Sequence, residues 1–345
     1  MPDYHAQCET AMLDGRWDAV EPEARAWARN LPEGVEKDPR PHFALNVVHL
    51  IRGQFADAWQ THKRCLEEAD DIAVVRQWVE GMLSRHQDNA QAHLVMGLFL
   101  SQSGESEQSM KSYKDAAKLA PTSAYPHYFL AQIHERANHL EMAIKEYREA
   151  VRLAPDYAPA RTNLGVAYQE QGRLEMAIPQ YREVIKLNPN DHIAHANLAC
   201  ALAEQGKMEP AVQSYKTALK LNPNDAEVHF ALGGLYETRG RLDLAEKAYR
   251  DALNANADFG AAYSALGWLS LRKQRMQDAQ ELFSRALKCN EEDPRAYHGI
   301  AELYAIRGKR QSAMENYSKA VKYYRDPEMR NALMNQLFQE GQVPD

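Results

Sequence analysis

Between Ala158 and Pro223 one pattern is written twice. It reads Arg161, Leu164-Gly165, Tyr168, Ala177, Tyr181, Val184 and Pro189, then His195, Leu198-Ala199, Leu202, Ala211, Tyr215, Ala218 and Pro223, each residue 34 after its counterpart. A fixed period of that length restricts the chain to an array of stacked units, because one such unit cannot bury its apolar face alone. The period predicts seven units, at 90–123, 124–157, 158–191, 192–225, 226–259, 260–293 and 294–327. Gly104, Asn138, Gly172, Gly206, Gly240 and Gly308 stand between the two helices of six of them, where left-handed backbone suits Gly or Asn; Gln274 is the exception. Ala143, Ala177, Ala211, Ala245, Ala279 and Ala313 fall where the second helix crosses the first, and a small side chain there lets the axes approach to about 8–10 Å.

The order of a large residue, Leu-Gly, Tyr, Ala, aromatic and Pro resembles the tetratricopeptide repeat family. Asn163 and Asn197, one repeat apart, make the middle repeats similar to the superhelix of O-linked N-acetylglucosamine transferases. The resemblance implies an all-α fold, an α-solenoid: a right-handed superhelix of antiparallel helix pairs whose concave groove is lined by the first helix of each pair.

The flanks depart from the period. Residues 1–89 read as a divergent helical N-terminal cap with degenerate repeats: 39–70 resemble a worn repeat with Gly53 at its turn, and Ile72, Val75, Trp78, Val79, Met82 and Leu83 mark one helix without a partner. At the other end, Asp326 and Pro327 look like an N-cap and first helical residue, and Met329, Leu333 and Leu337 make one apolar stripe. Residues 328–345 are therefore expected to form a capping helix and tail that close the open end of the core.

Several functions are excluded by what is absent from the sequence. A net charge of −7 argues against a nucleic-acid partner. Cys8, Cys65, Cys200 and Cys289 make no Cys-x-x-Cys pair. His93 and His127, and His195 and His229, are 34 apart, too far in stacked repeats to share one metal ion; they read as packing residues, with no metal expected. No phosphate-binding loop, nucleophile elbow or zinc-protease motif occurs, so neither an enzyme nor a cofactor is expected. No stretch is apolar enough to span a membrane and the first residues carry no basic-then-apolar leader, which reads as cytoplasmic.

On the resemblance, the ligand lies on the groove side of the first helices. Leu98, Tyr125, Tyr128 and Phe129 make an apolar patch there, which marks an interaction site if exposed and a packing surface if the next unit or the N-terminal cap covers it. Gln132 is on the same side. Asn163 and Asn197 can donate to and accept from an extended peptide. Phe230 and Trp268 suit an anchoring side chain, or packing between neighbouring first helices. The expected function is a scaffold that binds a protein or peptide segment in the groove and helps assemble or regulate a complex. Two alternatives stay open: a self-associating platform forming homo-oligomers, and a substrate-recognition arm for a separate glycosyltransferase.

Overall fold

The computed structural model describes residues 3–31, 37–68 and 72–342, so residues 1–2, 32–36, 69–71 and 343–345 of the expected cap and tail lie outside the described residues. Among the described residues there are twenty helices and no strand. The chain is an α-solenoid of antiparallel helix pairs, and it divides into two units, Met1–Leu187 and Asn188–Asp345.

In the first unit, α1 (Tyr4–Leu13), α2 (Trp17–Arg29), α3 (Arg40–Ile51), α4 (Phe55–Glu68) and α5 (Ala73–Arg85) precede three regular hairpins. These are α6 (Ala90–Gln102) with α7 (Ser106–Leu119), α8 (Ala124–Arg136) with α9 (Leu140–Leu153), and α10 (Ala158–Glu170) with α11 (Leu174–Leu187). The second unit holds α12 (His192–Glu204) with α13 (Met208–Leu221), α14 (Ala226–Thr238) with α15 (Leu242–Ala255), α16 (Gly260–Arg272) with α17 (Met276–Cys289), and α18 (Pro294–Ile306) with α19 (Arg310–Tyr323). Helix α20 (Pro327–Gln342) then packs on α19.

One ring-and-gap contact repeats in both units. In four hairpins the aromatic residue of the second helix lies in the space left by a glycine on the first: a Cβ at Gly165 would sit 2.5 Å from the Tyr181 ring, and one at Gly267 would sit 2.6 Å from Phe283; Ala131, Ala199 and Ala301 hold the same place in the other three. The crossing alanines Ala143, Ala177, Ala211, Ala245, Ala279 and Ala313 are all buried. In the first hairpin Ser109 takes this place and donates a 2.8 Å hydrogen bond to the Gly97 carbonyl, which meets the need of a buried hydroxyl.

The inter-helix turns are left-handed at every one of the seven places, including Gln274 at φ 57° and Asn138 at φ 59°. Gln274 is therefore no structural exception; the turn is imposed on it by its neighbours. Lys273 and Arg275 on either side both reach Glu246 of α15, at 2.6 and 3.0 Å. Three of the four periodic histidines serve the turns between hairpins, and His127 instead meets Glu146 of α9 at 2.7 Å. His93, His195 and His229 each approach, with Nε2, the carbonyl six residues earlier, at 2.8, 3.1 and 2.9 Å, and Arg161 does the same with its guanidinium at 2.5 Å. Arg161 is thus a partly buried tether over the turn.

Candidate functional site

The groove side of a first helix is the face turned away from its own second helix, and its fate differs between the units. In the first unit the N-terminal helices lie on it. The α1–α2 turn meets the start of α6: Asn89 donates 3.1 Å to the Leu13 carbonyl, and a Cβ at Gly15 would sit 3.3 Å from the Gln91 amide. The middle of α3 meets the end of α6, where Gln102 donates to Asn46 and the Phe43 and Phe99 rings are 5.8 Å apart. The end of α3 meets the start of α10: Tyr157 donates 2.7 Å to the Ile51 carbonyl, and a Cβ at Gly53 would sit 2.4 Å from Pro159.

The composition of these helices requires that cover. In α3, Pro41 to His49 are all buried, with Ile51 beside them, and in α6 every residue from Leu94 to Leu100 is buried. The α6 run is apolar, and a helix apolar on all sides must be packed on all sides; in α3 the buried Asn46 donates 2.7 Å to the Ala58 carbonyl and His49 meets Gln54 at 3.0 Å. Arg52, just past α3, holds the cap together by pairing with Glu21 and Asp18 of α2 at 2.6 and 2.8 Å.

The expected apolar patch is therefore a packing surface. Leu98, Tyr128 and Phe129 are 2%, 0% and 3% exposed. Tyr128 stacks edge-on against Phe129 and Tyr157 at 5.0 and 5.1 Å. Tyr125 meets Tyr157 at 5.4 Å and keeps one side on a pocket of about 660 Å3 shared with Gly15, Trp17, Ile51 and Arg52. Gln132 donates 3.0 Å to the Tyr128 hydroxyl. Asn163 donates 3.2 Å to the Tyr147 hydroxyl, which itself donates 2.7 Å to Glu135. Burial pushes the Glu135 carboxyl above its ordinary value, against the Tyr147 hydrogen bond that lowers it. Asn163 is thus committed to a network within its own unit.

In the second unit the sequence-derived residues separate. Phe230 packs against Tyr249 and Phe259 at 5.3 and 5.2 Å. Trp268 donates 3.1 Å to the Arg295 carbonyl and meets His298 at 4.7 Å, so it joins α16 to α18. Both are partly buried packing residues, the second of the two roles their spacing allowed. Asn197 stands apart: it is half-buried, and its amide has no hydrogen-bond partner among the described residues.

Around Asn197 the groove side of α12 and α14 forms a pocket of about 450 Å3. Ala196, Cys200 and Ala231 line its floor, Ile193 is 55% exposed at one end, and Glu227 stands exposed at the rim. The Cys200 thiol donates to Glu204 at 3.4 Å, and burial together with Cys200 pushes the Tyr215 hydroxyl above its ordinary value. The groove register places Ile193, Ala196, Cys200 and Glu227 on this side, but aromatic content pointed to other residues. An alanine-rich floor is what leaves the space.

No group of three or more His, Cys, Asp or Glu among the described residues is arranged to hold a metal ion, and no helix among them is long and apolar enough to cross a membrane.

Comparison with known proteins agrees with this architecture. A family model described as the Cilia and flagella-associated protein 70 C-terminal domain matches residues 157–345, one described as TPR repeat matches 136–172, and one described as Tetratricopeptide repeat matches 90–123. No curated protein matches the sequence. Among solved structures the chain is similar to a tetratricopeptide repeat protein from Parabacteroides merdae, at 16% identity and TM-score 0.61, over 73% of this chain and 99% of that one. It is similar to the APC/C hetero-tetramer Cut9-Hcn1 at 15% identity and TM-score 0.59, over 93% of this chain and 59% of that one. Yeast Tom70 aligns at 14% identity and TM-score 0.54, over 98% and 88%. At these identities the likeness is one of fold.

Proposed function

The chain belongs to the family described as the Cilia and flagella-associated protein 70 C-terminal domain, a family of tetratricopeptide repeats, and from that premise we propose a protein-interaction scaffold whose partner segment lies against α12 and α14. Such repeats are typical interaction scaffolds, and the groove side of a first helix is where their packing leaves room for a ligand. The observation that carries the reading is the contrast in exposure along that side. Leu98, Tyr128 and Phe129 are buried, the last two among the rings of Tyr113, Tyr147 and Tyr157, while Ile193 is exposed and Asn197 has a free amide.

The Asn163–Tyr147 hydrogen bond leaves the asparagine pair with one available member, so no observation favours an arm for a glycosyltransferase. Site-resolved photocrosslinking tests the proposal. A photoreactive residue at Ile193 should form adducts with one discrete partner, or with a second copy if the chain self-associates through this face. The same residue at Leu244, exposed on α15, should not. Equal yields from both positions would remove the proposal.

A further inference from the structure

The pocket between α12 and α14 has an unbalanced chemistry. Its lining includes the carboxylates of Asp225 and Glu227 and contains no lysine or arginine. Asp225 is partly occupied: it accepts 3.1 Å from the Val228 main-chain nitrogen as an N-cap and lies 3.9 Å from His192 Nδ1. Glu227 is exposed and has no cationic partner among the described residues. By contrast Glu237, on the same side of α14, is paired with Arg272 at 3.1 Å.

Three further features limit what can lie there. Ala196, Cys200 and Ala231 present little bulk, so a main chain can come close to the helix backbone. The free Asn197 amide offers both an NH2 donor and a carbonyl acceptor at that depth. Ile193 gives an apolar shelf beside it. An extended segment sends successive side chains to opposite sides, so one set faces the apolar floor and the other faces the rim.

Resting on the reading that α12 and α14 hold a partner segment, we propose that this segment is extended and cationic, with lysine or arginine toward Glu227 and Asp225 alternating with small apolar residues toward Ile193 and Ala196. Opposite charge steers the encounter and disfavours acidic competitors. An acidic segment would instead meet two carboxylates with no cation in the lining to offset them.

The test uses the full chain and three labelled probe peptides: alternating Lys-Val, Ser-Val and Glu-Val, measured by fluorescence anisotropy at low and high salt. The Lys-Val probe should bind at least about tenfold more tightly than Glu-Val, with the advantage shrinking as salt rises. Glu227→Lys should weaken Lys-Val binding about five- to tenfold, while Glu292→Lys, the same charge change on an exposed loop of the same unit, should not. Ala196→Trp should block all three probes, and the milder Asn197→Ala should weaken all three alike, which guards against a misfolded tryptophan variant. Equal binding of Lys-Val and Glu-Val, equal effects of Glu227→Lys and Glu292→Lys, or no measurable Lys-Val binding would overturn the charge assignment. If Ala196→Trp and Asn197→Ala both leave the probes unaffected, the groove reading itself falls.

Discussion

The hydroxyl of Tyr157, in the turn before α10, donates a 2.7 Å hydrogen bond to the main-chain carbonyl of Ile51, 106 residues earlier in the chain. With Gly53 pressed against Pro159, it fixes the end of α3 on the groove side of the third regular hairpin. Removing the hydroxyl with Tyr157→Phe should cost about 1–2 kcal/mol, the price of an unsatisfied, partly buried carbonyl. Gly53→Ala should cost more, about 2–4 kcal/mol, because the residue has φ +70° and its new methyl would sit 2.4 Å from Pro159. Adding Pro159→Gly should recover part of that loss. Urea unfolding of the single and double variants checks the pairing, and strictly additive effects would contradict it.

Gln274 carries a left-handed backbone that a glycine adopts without strain. Gln274→Gly should therefore stabilise the second unit by about 0.5–1 kcal/mol. A lowered urea midpoint would mean that the side chain has a packing role that its exposure does not suggest.

The same turn predicts an acid dependence. Burial raises the Glu246 carboxyl, but hydrogen bonds from Lys273 and Arg275 and the field of Arg250 outweigh it, and its pKa falls from 4.5 to about 2. A depressed carboxylate contributes stability that is fully present above the unfolded value of 4.5 and lost as pH falls toward 2. Glu246→Gln should remove about 1–3 kcal/mol at neutral pH and flatten the stability profile between those two values. A variant profile parallel to the wild type would contradict the assignment.

Ala211 lies buried where α13 crosses α12. Ala211→Glu should bring an unpaired carboxylate into that crossing and cost about 3–5 kcal/mol. An unchanged unfolding midpoint would mean that the crossing can open around it.

The regular hairpins were legible because their determinants are local. The left-handed turn residues, the crossing alanines and the ring opposite Gly165 all act within one period of 34 residues. The site was less legible because its availability depends on contacts far apart in sequence. Tyr128 and Leu98 have the register of groove residues, but both are buried, Tyr128 among Phe129, Tyr147 and Tyr157, and Tyr157 is itself held by the Ile51 carbonyl of α3. One local signal does point that way: α6 lacks a polar face from Leu94 to Leu100, so it needed cover from somewhere. Aromatic content was a poor guide in the second unit, where Phe230 and Trp268 are held by neighbouring rings and a carbonyl. The small residues Ala196 and Ala231 leave the space instead.

The account rests on a groove side that is filled in the first unit and open in the second. Carbene footprinting of the full chain, read residue by residue, measures that directly. Ile193 should label strongly, while Leu98, Tyr128 and Phe129 should be as protected as the core residue Tyr147. Labelling of Leu98 and Tyr128 at the level of Ile193 would show that this side of the first unit is open, and would contradict the account.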